Sequence, residues 1–122
     1  MAEDTILMLT TPTEPFSLVH FAVRRRGGEL VLAVRGEIDL SNLASLEREL
    51  TARDREPRLV VDMTRVGFCS VAGARVLEFA AIRAAVVGQS FAVVESRAVA
   101  RVLEMTGLAD AITRVPARPE RT

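Results

Sequence analysis

Few side chains in this sequence have reactive chemistry, and their spacing limits what they can do. Ser70 follows the single cysteine, Cys69, and stands at the head of a long apolar stretch. A hydroxyl in that place reads as a helix N-cap, accepting a hydrogen bond from an orphan amide one turn on. Cys69, beside Phe68, reads as a small buried side chain rather than a redox sensor. One cysteine makes neither an internal disulfide nor a metal site. His20 is the only histidine, so a catalytic triad or a His-based metal centre lacks its parts. There is no glycine-rich phosphate loop, no nucleophile paired with a base, and no carboxylate pair with a partner in view. Asp39 reads as a carboxylate that caps or orients a turn before a helix. The chemistry on offer is recognition: a non-enzymatic binding module, with no cofactor and no metal expected.

Composition narrows the partners. The chain has 122 residues, 49% of them hydrophobic, enough for one core without disulfides or metal. Sixteen basic and sixteen acidic residues cancel, which argues against a phosphate-tracking nucleic-acid binder. The one basic cluster, Arg24 to Arg26, adjoins Gly27 and Gly28 and reads as a solvated hairpin turn. No run approaches the roughly 20 apolar residues that cross a bilayer, and the amino end lacks the pattern of a secretory signal. A cytoplasmic protein without direct membrane contact is expected.

The elements that must position these residues follow from periodicity. Residues 1–15 carry prolines and threonines without useful period and read as a flexible lead-in. Phe16–Val23 and Glu29–Gly36 read as the strands of a hairpin. Glu37–Ser41 connects to a helix with Ser41 as its expected N-cap. In that helix Leu43, Leu46 and Leu50 share a face, and Glu49 and Arg53 pair on the opposite one. Arg58–Asp62 reads as a central strand covered on both faces, and Met63–Cys69 as a loop. A long helix runs from Ser70 or Val71 to Val87, with Gly88 beyond it, and Val76, Leu77, Ala80, Ala84 and Val87 as its inner face. Ser90–Val94 is a further strand. Ser96 caps a helix ended by Gly107, and Leu108–Val115 returns as a helical turn or an edge strand. The order β-β-α-β-α-β-α implies an α/β domain: a mixed sheet of four to five strands with helices packed on it. The domain is placed at residues 16–116, with a polar tail at 117–122.

Three stretches together resemble the STAS family, which includes anti-sigma factor antagonists and domains appended to anion transporters. They are Gly36-Glu37-Ile38-Asp39; Leu59–Asp62 with Val66–Phe68 running into Ser70–Gly73; and Ser96–Val99 with Val102–Leu108. The resemblance implies a regulator that binds an anti-sigma factor of the serine-kinase ATPase fold and so frees a sigma factor. In phosphorylated members the loop before the long helix reads Asp-Ser-(Ser/Thr)-Gly, and the kinase modifies the hydroxyl just before the glycine. Aligned on Gly73, this chain has Ala72 there, Val71 before it, and Ser70 in place of the aspartate.

Three expectations follow: an antagonist that phosphorylation cannot switch at the usual position, a variant phosphorylated at Ser70, or a scaffold or accessory subunit of a sensory complex or transporter. The partner-binding surface is expected to combine Asp39, Leu40 and Ser41 with Ser70, Val71, Ala72, Gly73 and Arg75.

Overall fold

The computed structural model describes residues 5–8 and 18–116. A six-stranded sheet runs in simple chain order. Strand β1 (Thr5–Met8) pairs antiparallel with β2 (Val19–Arg26), which turns back at Gly27 into β3 (Glu29–Ile38). A 3-10 turn (Leu40–Asn42) leads to α1 (Leu43–Thr51) and then β4 (Arg58–Cys69). Helix α2 (Val71–Val87), strand β5 (Ser90–Glu95) and helix α3 (Arg97–Thr106) follow. A second 3-10 turn precedes β6 (Arg114–Pro116). Strands β3 to β6 are mutually parallel.

Because each successive parallel strand is added on the same side, right-handed crossovers place α1, α2 and α3 on one face of the sheet. The middle helix is α2, which packs against both others. The core forms where alternate strand residues meet this helical layer: Phe21, Leu32, Val61 and Val93 from the strands, Leu46 and Leu77 from the helices.

The α/β class and the mixed sheet with helices packed on it agree with the sequence reading. Short edge strands at the two margins raise the strand count to six. One lies inside the segment read as a lead-in. The rest of that segment, the residues Phe16 and Ser17, and the tail from 117 lie outside the described residues.

Several local expectations change. Met63–Cys69 is not a loop but the second half of β4, held by parallel pairing to β3 through two register shifts, with Met63, Val66 and Cys69 buried. The sheet face opposite the helices leaves Val60 and Asp62 half-buried, so β4 is not covered on both faces. Glu49 is 8% exposed and its bridge to Arg53, at 2.9 Å, is largely enclosed rather than on the solvated side of α1. Val87 is 61% exposed, outside the inner face of α2. At the helix ends the reading holds: Ser70 and Ser96 accept from the amides of Gly73 and Val99 at 3.1 and 3.2 Å.

Candidate functional site

The carboxyl ends of β3 and β4 bring the two sequence-selected loops side by side. Gly36 makes the approach possible. Its φ of +116° is costly for other residues, and an added Cβ would lie 1.8 Å from the Leu18 carbonyl oxygen. The Glu37 amide donates to that same oxygen at 2.9 Å. Beyond Ile38 the chain turns into the 3-10 segment, and the amide of Ser70 donates to the Ile38 carbonyl at 2.9 Å, tying the loops together.

The first loop is a closed hydrogen-bond knot. Asp39 Oδ1 accepts from the Ser41 amide at 3.0 Å and from the Ser41 hydroxyl at 2.6 Å. Asn42 Oδ1 accepts from the Asp39 amide at 3.1 Å, and its Nδ2 donates to the Glu37 carbonyl at 2.9 Å. Asp39 therefore caps this turn, where Ser41 was the expected cap, and Asn42 occupies the N-cap position of α1. Ser41 stands just before the leucine periodicity, but a turn of 3-10 helix intervenes between the loop and α1. The buried Asn42 is a positioning residue that sequence reasoning missed; an asparagine three residues after an aspartate was the available clue.

The second loop starts α2. Ser70 is half-buried and its oxygen is occupied by the Gly73 amide. Gly73 faces inward: an added Cβ would stand 2.7 Å from Ile38 Cγ2 and 3.0 Å from Cys69 Sγ. Cys69 is buried, and desolvation pushes its thiol up to about 11 from 9.0. A thiol held protonated is a poor nucleophile.

Of the eight residues selected from sequence, the structure leaves Leu40, Ser41, Val71 and Arg75 exposed. Asp39, Ser70 and Ala72 are half-buried, and Gly73 is enclosed. Two apolar side chains stand out, Leu40 at 78% and Val71 at 55% exposure. Phe68, 49% exposed at the end of β4, adds a third that the sequence reading left aside. Arg75 bridges loosely to Glu78 at 3.7 Å. Among the described residues no cluster of His, Cys, Asp or Glu is placed to hold a metal ion, and no helix is long and apolar enough to cross a membrane. The arrangement offers a fixed, partly apolar surface with a charged margin of Glu37, Asp39 and Arg75, suited to protein docking.

The chain matches the family model described as MlaB, STAS domain, over residues 21–115. None of the curated proteins matches it. Among solved structures it is similar to an anti-sigma factor antagonist from Mycobacterium paratuberculosis, at 29% identity and a TM-score of 0.74, covering 85% of this chain and 90% of that one. It is also similar to the Bacillus cell fate determinant SpoIIAA in its phosphorylated form, at 14% identity and a TM-score of 0.61, covering 80% of this chain and 91% of the other. Against SLC26A9 the identity is 14% and the TM-score 0.63, covering 74% of this chain and 18% of that chain. These last two likenesses concern the fold alone.

Proposed function

The chain belongs to the STAS domain family, and from that premise we propose that it is an anti-sigma factor antagonist that docks onto an anti-sigma factor and so releases a sigma factor. The similarity to the mycobacterial antagonist across most of both chains carries this reading. By resemblance the partner has the serine-kinase ATPase fold. The docking surface comprises the Asp39–Ser41 turn, the Ser70–Gly73 start of α2, and Arg75.

In this reading Ala72 makes the protein an antagonist that cannot be released by phosphorylation at the usual position. The side chain just before Gly73 is a half-buried methyl group with no oxygen to modify. Ser70 is the nearest hydroxyl, and its oxygen is engaged as the cap of α2, which favours a structural role over that of an acceptor.

The test is capture from native cytosol with wild-type and Ala72→Asp chains, together with mass spectrometry of the endogenous protein. A carboxylate at position 72 places an unpaired charge where close packing is needed, so the variant should lose at least tenfold in affinity, about 1.4 kcal/mol. Capture of a kinase-type anti-sigma factor by wild type alone, with no phosphate on the chain, supports the proposal. Phosphate on Ser70 means that the switch has moved. Capture of transporter or scaffold subunits instead retires the sigma-factor reading.

A further inference from the structure

The outward face of α2 is apolar apart from Arg75. At 3.6 residues per turn, Val71, Arg75, Phe79, Ile82 and Val86 fall within an arc of about 80°, pointing away from the sheet. Phe79 is 50% exposed, Ile82 49% and Val86 80%. With Val71 these side chains present roughly 400 Å² of apolar surface, within the size range of a monomer's largest patch, which is often functional. That is about half of the ~800 Å² that one side of a specific interface buries. The stripe begins at Val71, inside the proposed docking loop, so loop and stripe form one continuous surface.

The charges around the stripe select its occupant. Arg75 lies within it, mostly exposed, with only the loose bridge to Glu78. Arg83 lies on its flank, and its buried Nε has no hydrogen-bond acceptor. These arginines stand four residues on either side of Phe79. A second copy of the chain pairing antiparallel about Phe79 would set Arg75 against Arg83 twice, and parallel pairing would set each arginine against itself. Like charges disfavour both arrangements. A lipid surface is also a poor fit, because two arginines and one glutamate on the helix give little attraction to anionic headgroups.

We propose that α2 docks an amphipathic helix of a partner protein, with an apolar seam on Phe79 and Ile82 and two carboxylates about 12 Å apart, the rise between Arg75 and Arg83. The proposal builds on the docking reading of the loop and adds the chemistry of what lies beyond it.

The test titrates the isotope-labelled full chain with two synthetic stapled helical peptides. They share a leucine seam and differ only in carrying two glutamates or two lysines eight positions apart. The expected result is saturable amide shifts confined to 71–87, at least tenfold tighter for the glutamate peptide. Phe79→Ser should abolish the shifts, and the double variant Arg75→Glu with Arg83→Glu should prefer the lysine peptide. Equal affinity for both peptides, or no saturable shift on α2, overturns the proposal. So does a dimer of the free chain in sedimentation equilibrium that Phe79→Ser dissociates, or flotation with phosphatidylglycerol vesicles that the charge-reversed variant abolishes. The two readings fail separately: unaltered capture by Ala72→Asp counts against the loop, whereas indifference to peptide charge counts against the stripe.

Discussion

Replacing Gly73 by alanine should destabilise the fold while changing the docking surface little, because this member of it is buried and the added methyl group would face inward. The new methyl group would sit 2.7 Å from Ile38 Cγ2 and 3.0 Å from Cys69 Sγ. Ile38 is fully buried and β-branched, so its methyl cannot swing aside. Overpacking of this kind costs about 1–3 kcal/mol. At 2.7 Å the clash belongs in the upper half of that range, so after the alanine recovers up to about 1 kcal/mol of helix propensity the net loss is about 1–2 kcal/mol. For a domain of this size that lowers Tm by about 3–8 °C. Thermal unfolding measures it, with Gly67→Ala as the control, because nothing lies within 4 Å of a Cβ there. In a Cys69→Ala background the cost should shrink, since one of the two obstructing atoms is gone. At a temperature where the variant is folded, affinity for the captured anti-sigma factor should stay within about twofold of wild type, a change below about 0.5 kcal/mol. Unchanged Tm together with lost binding would refute the reasoning and make the glycine a contact read by the partner.

Three further outcomes follow from the same geometry. Burial raises the Cys69 thiol from 9.0 to about 11, so the unfolded chain loses this proton first. Its contribution is intact below about pH 9 and fades as the pH climbs to about 11, by about 2–3 kcal/mol. The chain has neither lysine nor tyrosine to titrate in that window, so urea unfolding of wild type against Cys69→Ala isolates the effect. Gly36→Ala pushes a Cβ to 1.8 Å from the Leu18 carbonyl oxygen at a φ of +116°, and should cost at least about 3 kcal/mol, read as a collapse of Tm. Arg114 donates to Glu95 at 2.6 and 2.9 Å and to Glu104 at 2.8 Å. Arg114→Met should loosen β6 by about 1–2 kcal/mol, seen as faster hydrogen exchange at the Val93 amide, which donates to the Thr113 carbonyl.

What the sequence made legible was periodic. The hairpin, the cap at Ser70 and the glycine stops of the long helices each follow from one local rule and agree with the structure. The exception is Arg24–Arg26, which extends β2 by pairing with Val31, Leu30 and Glu29 instead of forming the turn. Features set by tertiary contact were not legible. Met63–Cys69 lacks a clean alternation because two register shifts change which side chains face the core, so a strand read as a loop. The turn at Leu40–Asn42 displaced the helix start by a few residues, and Asp39 took the capping role that proximity had given to Ser41. Helix α2 is apolar on nearly every side, and periodicity alone could not tell which apolar residues were core and which formed an exposed stripe.

The hydrogen bonds of the two loops decide what a partner can read there. Asp39 Oδ1 is engaged twice by Ser41, and the Ser70 oxygen is engaged by Gly73. These groups hold the surface in shape, and in doing so they remove part of its polar bonding capacity. What projects beyond them is apolar, Leu40 and Val71, with the exposed Arg75 one turn further along α2. Immobilising a flexible side chain or loop on association costs about 0.5–1.5 kcal/mol per group. A knot already closed in the free chain spares that cost. In the docking reading, Asp39 and Ser70 therefore act as positioning residues, and affinity comes from Leu40, Val71 and the length of α2 behind them. In the same reading, the methyl of Ala72 offers no hydroxyl at the position just before Gly73.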